Sequence, residues 1–481
     1  MKKFESFKLF NNLDPYRDCI YLKKFIDKNL NNKKLNIFFF QIEKIFDVPV
    51  KVQKRKIGKL ILNNFNFKIN KFEINNNYTK IIYNFLLFNL LIFINIFFSC
   101  IKFKKERFDI ILANVDGDNI DNFRNLLKNY PKVAIISKKK KEYHNLKKTF
   151  PKKSLSHFKS NFLNYKISFN DFIVLYSIYF KIFYFSLHLK QNYIFFFNHL
   201  LSSILTYSSL SKILISKSLI YGRLYWTCPI INFFFKKNQK TFSYVIQSQI
   251  FDLIWGMYMD ADIYFSFGSN QEQKKEILLA GGRINKIVPV GSLKIERYFK
   301  KKNFVFNIMI IISHLNTWFN FRNVKDSYNE FFIWIKKIKN DFPRYKMIFF
   351  CFSNDYDQAR KINNFIKDNN MKAKIIMKSG ACYKYLSSAD FVFSYSSTFI
   401  LEAASIGKKA YFLQPRVGAT TILKKNYLKK IIIQKYSTLK KILINKNRKK
   451  TVRKDICLPS NFTSENICIF LKKNIEYPNN I

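Results

Sequence analysis

The chain has few cysteines and no CxxC pair. Cysteine stands at only seven of the 481 positions, namely 19, 100, 228, 351, 382, 457 and 468. This scatter argues against a structural zinc site and a disulfide framework, because both need paired or closely spaced cysteines. The first residues, Met1-Lys2-Lys3-Phe4-Glu5, also lack the apolar run of a signal peptide. A reducing, cytoplasmic compartment is therefore expected.

Acidic residues and arginine are scarce as well. The chain has 84 Lys and Arg against 31 Asp and Glu, a formal net charge of +53, and only 13 of the basic residues are Arg. Abundant Lys, Asn, Ile and Phe together are what an A/T-rich coding sequence produces. A nucleic-acid-binding protein is expected to carry more arginine for bidentate contacts, and no zinc finger, basic zipper or RNA-binding signature is present. Nucleic acid is therefore not an expected partner, whereas an anionic membrane surface stays open.

One stretch, residues 81–101, is free of charge for about the length of a membrane-spanning helix. Asn84, Asn89 and Asn95 interrupt it, and Asn is costly in lipid. Three interpretations follow: a spanning helix, a helix that lies in the membrane interface, or a buried helix of the N-terminal domain. A second aromatic-rich zone, 172–215, is expected to be helical core, with one face toward lipid as the alternative.

Short apolar runs alternate with helical patterns along most of the chain. Strands are predicted at 108–115 and 133–137 around a helix at 119–129, which is typical of a β-α-β unit. Further strands are predicted at 35–40, 241–247, 263–267 and 287–290, and a loop or a hairpin of helices at 138–165. The C-terminal part is the clearest, with strands predicted at 307–312, 346–352, 374–377, 391–393 and 410–413 and helices between them.

This alternation predicts an α/β fold of two Rossmann-like domains facing a cleft, with a membrane-associated helix in the N-terminal half as an option. The predicted division is a poorly readable region at 1–106 that contains the apolar helix, an acceptor-side domain at 107–303, and a nucleotide-donor domain at 304–481.

The fourth of the five C-terminal strands leads into a turn rich in hydroxyl groups. Ser396, Ser397 and Thr398 are preferred N-cap residues, and an apolar helical pattern begins directly after them. A helix start with backbone N–H groups and hydroxyls is suited to a phosphate group. Glu402 lies one helical turn further on, where a carboxylate would accept hydrogen bonds from a sugar diol. The alternative interpretation is an ordinary N-cap followed by a surface Glu.

The C-terminal half resembles the nucleotide-donor domain of GT-B-fold transferases, which include glycosyltransferases of surface polysaccharide assembly and the glycerophosphotransferases that build teichoic acids. The resemblance lies in ADFVFSYSST at 389–398, LEA at 401–403 and GKKAYF at 407–412. The family pattern has a Pro after "gk", where this chain has Lys409.

A second stretch, 265–294, is similar to the segment that in this family ends the N-terminal domain, and it contains Gly291 in the sequence VPVGSLK. The resemblance thus covers about residues 240–415. In many relatives the strand like 241–247 ends in Gln-His-Gly with the His facing the cleft. Here it ends Gln247-Ser248-Gln249, so a His-dependent mechanism at this position is in doubt.

The resemblance implies a donor site without metal or other cofactor, because basic side chains and helix N-termini hold the leaving diphosphate. The expected donor-binding residues are Ser394, Ser396, Ser397, Thr398, Glu402, Lys378, Arg416 and Gly291. For Lys378 and Arg416, a solvated turn or loop residue is the alternative.

The catalytic candidates lie at three places in the chain. His314 follows the first C-terminal strand and would fall in the cleft. Asp116 and Asp118 belong to a D-G-D turn predicted after the strand at 108–115. One of them is a candidate for the base that activates the acceptor, and the alternative is that they bind a metal ion. His199 ends an apolar run and is a candidate for the base that deprotonates the acceptor hydroxyl. The competing interpretation is a structural histidine in the core.

These expectations combine into a cytoplasmic transferase, peripheral at the inner face of the plasma membrane. It would move a sugar from a nucleotide-activated donor to a surface polysaccharide or a lipid-linked glycan acceptor. The alternatives are a polyol-phosphate transferase of the CDP-glycerol type, a nucleotide-sugar epimerase of the same fold, and a non-catalytic glycan- or nucleotide-sugar-binding member.

Overall fold

The structure is a computed structural model. It describes residues 15–66, 71–72, 77–98, 104–114, 123–137, 141–150, 154–159, 167–188, 192–223, 227–248, 253–268, 271–296, 308–312, 322–351, 356–377, 381–415, 426–445, 457–459 and 462–476.

The N-terminal part is a group of helices with one small hairpin. Its elements are α1 (Pro15–Leu30), α2 (Lys33–Phe46), α3 (Val50–Asn63), β1 (Phe65–Asn66), β2 (Lys71–Phe72) and α4 (Tyr78–Phe98). The strand predicted at 35–40 is wrong, because these residues lie within α2. Leu35, Phe38, Phe39 and Ile42 are buried at helical spacing, so one helix face supplies the apolar run.

The middle of the chain alternates strands and helices. The elements are β3 (Glu106–Arg107), β4 (Ile110–Ala113), α5 (Arg124–Lys128), β5 (Lys132–Ser137), α6 (Lys141–Thr149), β6 (Ser154–Lys159), α7 (Phe169–His188), α8 (Tyr193–Ile213), β7 (Leu214–Ile215), β8 (Ser218–Tyr221), α9 (Pro229–Gln239), β9 (Phe242–Ile246), α10 (Leu253–Gly256), β10 (Ile263–Ser266), α11 (Gln271–Leu279), β11 (Lys286–Pro289) and α12 (Leu293–Glu296). Seven of these strands form a parallel sheet in the order β11-β10-β9-β8-β4-β5-β6.

The C-terminal part contains β12 (Ile308–Ile312), α13 (Arg322–Asp341), β13 (Lys346–Phe350), α14 (Tyr356–Asp368), β14 (Ala373–Ile376), α15 (Cys382–Tyr385), β15 (Ala389–Ser394), α16 (Phe399–Ser405), β16 (Lys409–Leu413), β17 (Ile432–Ile433), α17 (Tyr436–Ile444) and α18 (Thr463–Glu476). Its strands form a second parallel sheet in the order β14-β13-β12-β15-β16-β17. The five strands predicted here are confirmed, and β17 adds a sixth.

The interior strands are continuous apolar runs because helices cover both faces of each sheet. In the first sheet, Ile111 and Tyr221 face the N-terminal helices with α7 to α9, whereas Ile110 and Ile220 face α5 and α18. The region predicted as a loop or a hairpin of helices at 138–165 instead contains α6 and the edge strand β6.

The predicted fold of two Rossmann-like domains is confirmed by these two sheets. The domain boundaries at 106 and 303 stay predictions. The last helix, α18, returns to the first sheet, where Ile467, Cys468 and Leu471 pack in the same core as Ile110. Helices α1 to α4 likewise share a core with Ile111.

Candidate functional site

Both sheets reverse their strand order at one point, and these points place the candidate site. In the second sheet β12 is central, and the chain runs outward first through β13 and β14, then on the other side through β15, β16 and β17. Ligands of doubly wound sheets bind at the carboxyl ends of the strands that flank such a reversal. The strand ends that meet here are Ile312 of β12 and Ser394 of β15, which are register partners.

Ser394 joins these two strand ends and shapes the turn that follows. Its buried Oγ donates to the backbone O of Ile312 at 3.2 Å. The same oxygen accepts hydrogen bonds from the backbone N–H groups of Ser396 at 3.2 Å and Ser397 at 2.9 Å. Ser397 Oγ in turn accepts from the N–H of Phe399, the first residue of α16, at 3.3 Å. Ser394 thus supports the turn, and the half-buried Ser396, Ser397 and Thr398 form its surface.

Glu402 is buried, with 1% of its surface exposed, and it connects the two sheets. Its Oε1 accepts from Ser292 Oγ at 2.5 Å, and its Oε2 accepts from the hydroxyl of Tyr383. Ser292 follows β11 at the carboxyl edge of the first sheet. The carboxyl edges of the two sheets therefore meet at Glu402. Sequence reasoning missed Ser292, although it adjoins the expected Gly291, and it had no signal for Tyr383.

The contact between the sheets needs a glycine at 291. Gly291 has φ 93°, in the left-handed region where a side chain is strained, and its N–H donates to Ser266 O at 3.3 Å. This conformation turns the chain from β11 toward Ser292 and α12. Lys294, in α12, donates to the backbone O of Ser248 at 3.0 Å, again at the carboxyl edge.

Cys382 lies beside this contact but is not an activated thiol. Burial raises the pKa of Cys382 to about 12, and the negative charge of Glu402 adds to the rise. A thiol that stays protonated near neutral pH is a poor nucleophile.

The reversal point of the first sheet lies between β4 and β8. Asn114 follows β4 with φ 52°, and the D-G-D sequence begins two residues later, at Asp116. Asp116 and Asp118 lie outside the described residues, and so do His314, Lys378 and Arg416. By position in the chain, these five residues follow the carboxyl ends of β4, β12, β14 and β16 closely, and their roles stay predictions. Within the described ranges, no group of three or more His, Cys, Asp or Glu could hold a metal ion.

His199 is exposed on α8, so its interpretation as a core histidine is wrong. Its ring contacts Phe195 edge-to-face, with 4.6 Å between the centroids. Helix α8 packs on α3, α4, α7 and α9, which places His199 in the helical layer of the first domain.

Gln247, which directly precedes the position of the absent histidine at Ser248, has a structural role. It is buried, and its Oε1 accepts from the N–H of Phe267 at 2.7 Å. Its own N–H donates to Phe265 O at 2.9 Å. Gln247 thereby ties the carboxyl ends of β9 and β10 together.

Replacement of Glu402 by glutamine should lower the free energy of unfolding by about 1–3 kcal/mol. Glutamine has one acceptor oxygen, so its N–H₂ group takes the place of the oxygen that accepts from Ser292 or from Tyr383. Urea denaturation would measure the change. Glu465→Gln, at an exposed position on α18, is the matched control. Equal stability of the Glu402→Gln variant and the parent would contradict the contact.

The comparisons with known proteins found similarity to solved structures only, at low sequence identity. No family model and no curated protein matches the chain. Among solved structures, it is similar to a UDP-GlcNAc 2-epimerase from Neisseria meningitidis bound to UDP-GlcNAc (12% identity, 77% of this chain and 100% of that chain, TM-score 0.46). It is also similar to MurG from Acinetobacter baumannii (10%, 77% and 99%, TM-score 0.37) and to the wall teichoic acid polymerase TagF (11%, 84% and 100%, TM-score 0.43).

At such low identity and TM-score, neither a reaction nor a substrate follows from these similarities. The fold rests on the chain's own two parallel sheets. Each reverses its strand order once, and their carboxyl edges meet at Glu402.

Proposed function

We propose that this protein is a GT-B-type transferase that moves a sugar from a nucleotide-activated donor to a surface polysaccharide or a lipid-linked glycan acceptor. The observation that carries the proposal is the turn at 394–398. It lies at the order reversal of the second sheet, where Ser394 ties two strand ends together and presents three further hydroxyl residues.

In this proposal the donor diphosphate binds the hydroxyls of Ser396, Ser397 and Thr398. Arg416 follows β16, the neighbour of β15, and Lys378 follows the edge strand β14. Both add positive charge, and Arg416 offers a bidentate contact. Ser394 positions the turn. Gly291 allows the first domain to approach the donor closely.

Glu402 adjoins the same site from the first turn of α16. On donor binding, its carboxylate exchanges the Ser292 hydroxyl for a hydroxyl of the donor. The exchange keeps the carboxylate hydrogen-bonded, which a buried charge requires.

The proposed reaction is a direct displacement. The acceptor hydroxyl oxygen attacks the anomeric carbon, and the bond from that carbon to the diphosphate oxygen breaks. The nucleoside diphosphate leaves with the bonding pair, and the side chains of the second domain stabilise its charge. The proton of the acceptor hydroxyl passes to a base, for which Asp116 and His199 of the first domain and His314 of the second are the candidates.

We further propose that the enzyme is cytoplasmic and works at the inner face of the plasma membrane. A net charge of +53 favours contact with anionic lipid. One described helix, with the window Tyr78–Ile96, is long and apolar enough to cross a membrane by length and composition alone.

Calorimetric titration with UDP-, GDP- and dTDP-sugars and with CDP-polyols would test the donor site. Binding of a nucleotide sugar with transfer to a glycan acceptor is the expected result. Preference for a CDP-polyol would identify a polyol-phosphate transferase. Conversion of the sugar without an acceptor would identify an epimerase, and binding without turnover a non-catalytic protein. Binding of no nucleotide would overturn the proposal.

Replacement of Ser397 by alanine should weaken donor binding about tenfold or more, since a hydrogen bond to a charged group contributes about 1.5–3 kcal/mol. Ser388→Ala is the matched control, because Ser388 precedes β15 and lies at the opposite edge of the same sheet. An unchanged Kd in the Ser397→Ala variant would remove this residue from the site.

A further inference from the structure

Helix α4 presents an outward face that is apolar along most of its length. The exposed large side chains on this face are Tyr78, Ile82, Tyr83, Leu86, Leu90, Phe93 and Ile96. Two of the three asparagines that interrupt the apolar sequence, Asn84 and Asn95, lie on the opposite face. Asn84 and Asn95 are buried, and Asn198 of α8 donates to Asn84 O at 2.6 Å. Asn89 lies on this face and is half-buried, and its side-chain amide donates to Phe85 O of its own helix at 2.9 Å, so part of its hydrogen-bonding capacity is met within the helix.

Helix α7 packs beside α4 and extends this surface. The rings of Phe85 and Phe183 stack with 4.3 Å between centroids, and those of Phe88 and Tyr179 also stack. The outward side of α7 exposes a second apolar series, made of Phe169, Ile173, Val174, Tyr176, Phe180 and Tyr184. A shallow depression in this series is lined by Phe172, Ile173, Tyr176, Ser177, Phe180 and Lys181.

The two outward series together form one surface, which we term the α4–α7 face. It holds more than half of the large apolar side chains that are exposed in the described part of the chain. Contiguous apolar surface of this extent marks a site of contact with a protein or a membrane.

Charge decides between these two occupants. The exposed lysines on or beside the face are Lys34, Lys80 and Lys181, and Lys34 lies over the ring of Phe185 at 5.2 Å. Helix α4 contains no acidic residue, and α7 contains one, Asp171 in its first turn, which accepts a hydrogen bond from Ser168. A second copy of the chain would bring another net charge of +53 against these lysines, which opposes self-association. Anionic lipid headgroups complement them, and tyrosines are suited to the interface between headgroups and acyl chains.

The packing of α4 also decides how it meets the bilayer. Its inward face contacts α7 and α8, and α8 in turn packs on α9 and joins the core under the first sheet. A helix packed on a globular domain along its inward face cannot be surrounded by lipid. Its outward face can enter the interfacial region.

We propose that the α4–α7 face is a monotopic binding surface for an anionic bilayer, with both helices lying in the membrane plane. This inference rests on the membrane location proposed above and deepens it, because it assigns the contact to two helices and excludes a spanning one. It also provides a route by which a lipid-linked acceptor would meet the first domain.

Flotation with vesicles of phosphatidylcholine alone and with added phosphatidylglycerol would test the surface. The parent should float with the anionic vesicles. The double variant Leu86→Glu, Phe180→Glu should bind them at least about tenfold more weakly, because it removes two inserted apolar groups and adds two charges. The matched control is Ile333→Glu, Ile444→Glu, at positions similarly exposed in the second domain, and it should float like the parent.

Nucleotide titration of the same variants separates this inference from the proposed function. Loss of flotation with unchanged nucleotide binding is the expected result, and it supports the face whatever the donor proves to be. Flotation of the double variant equal to that of the parent would overturn the inference. So would an oligomer in the parent that the double variant dissolves into monomers, since the face would then be a contact between copies. Strong quenching of a Phe93→Trp variant by lipids brominated near the bilayer centre would indicate a spanning helix instead.

Discussion

Replacement of Arg283 by methionine should lower the free energy of unfolding by about 2–3 kcal/mol, the contribution of hydrogen bonds to charged groups. Arg283 donates to Asp260 Oδ1 from Nε at 2.9 Å and to Asp262 Oδ1 from Nη1 at 3.0 Å. The side chains of Asp260 and Asp262 are only 5% and 1% exposed, and the variant removes their shared guanidinium. Arg55 and Lys236 remain as their other ion-pair partners. Chemical denaturation would measure the loss. Arg360→Met is the control, since the ion pair of Arg360 with Asp357 is exposed.

The same substitution should make the protein more sensitive to acid. Burial by itself raises the pKa of Asp262, but the charge of Arg283 and the N–H of Ser243 outweigh it and hold the pKa below its ordinary value. A lowered pKa contributes stability that is present above the unfolded-state pKa and is lost as the pH falls through the folded-state pKa. Without Arg283, this contribution shrinks, and acid unfolding should begin at a higher pH. An acid transition identical to that of the parent would contradict the assignment.

Replacement of Lys59 by methionine should stabilise the protein near pH 7. It should also remove the rise in the free energy of unfolding that the parent shows as the pH increases above 7. Lys59 is buried, and its Nζ donates to Thr227 O at 2.6 Å and to Thr227 Oγ1 at 2.9 Å. Burial lowers the pKa of Lys59 to about 7, and the neighbouring charges offset only part of this decrease. The unfolded chain therefore binds the proton more tightly, and the parent should gain stability as the pH rises from about 7 toward 10.5.

Each pKa unit corresponds to 1.36 kcal/mol, so the gain in the free energy of unfolding between about pH 7 and pH 10.5 is on the order of several kcal/mol. Urea midpoints at pH 6.5, 8.5 and 9.5 would show a slope in the parent that the Lys59→Met variant lacks. Lys361→Met, at an exposed position on α14, should keep the parental slope. A slope that survives in Lys59→Met would assign the pH dependence to other groups.

Local patterns were sufficient for most elements of the second sheet. The apolar runs that became β12, β13 and β15 are short, uninterrupted and separated by amphipathic helical patterns, so their period and length identify them. The same rule failed at 35–40, because an apolar run of strand length also fits one face of a helix, and only packing distinguishes the two. The strand β6 was missed since its sequence, SLSHFK, has little apolar character.

Part of the candidate site could likewise be predicted from local sequence, and part could not. The turn of Ser394, Ser396 and Ser397 was located from the strand before it and the helix after it. The sequence alone did not show that Ser394 faces inward. Nor did it show that Glu402 meets Ser292, 110 residues earlier in the chain. A partner at that separation is set by how two sheets approach each other, and periodicity carries no information about it.

The sequence by itself determined the α/β class and the position of the hydroxyl-rich turn, because both follow from the alternation of short apolar runs with helical patterns along the chain. Only the tertiary structure decided that α18 returns to the first sheet and that the sheets meet at Glu402. It alone showed that Asn84 and Asn95 of α4 face the protein while the opposite side of the helix stays apolar and exposed. The physical reason is that burial of a side chain depends on which surfaces meet in space, and those surfaces come from distant parts of the chain.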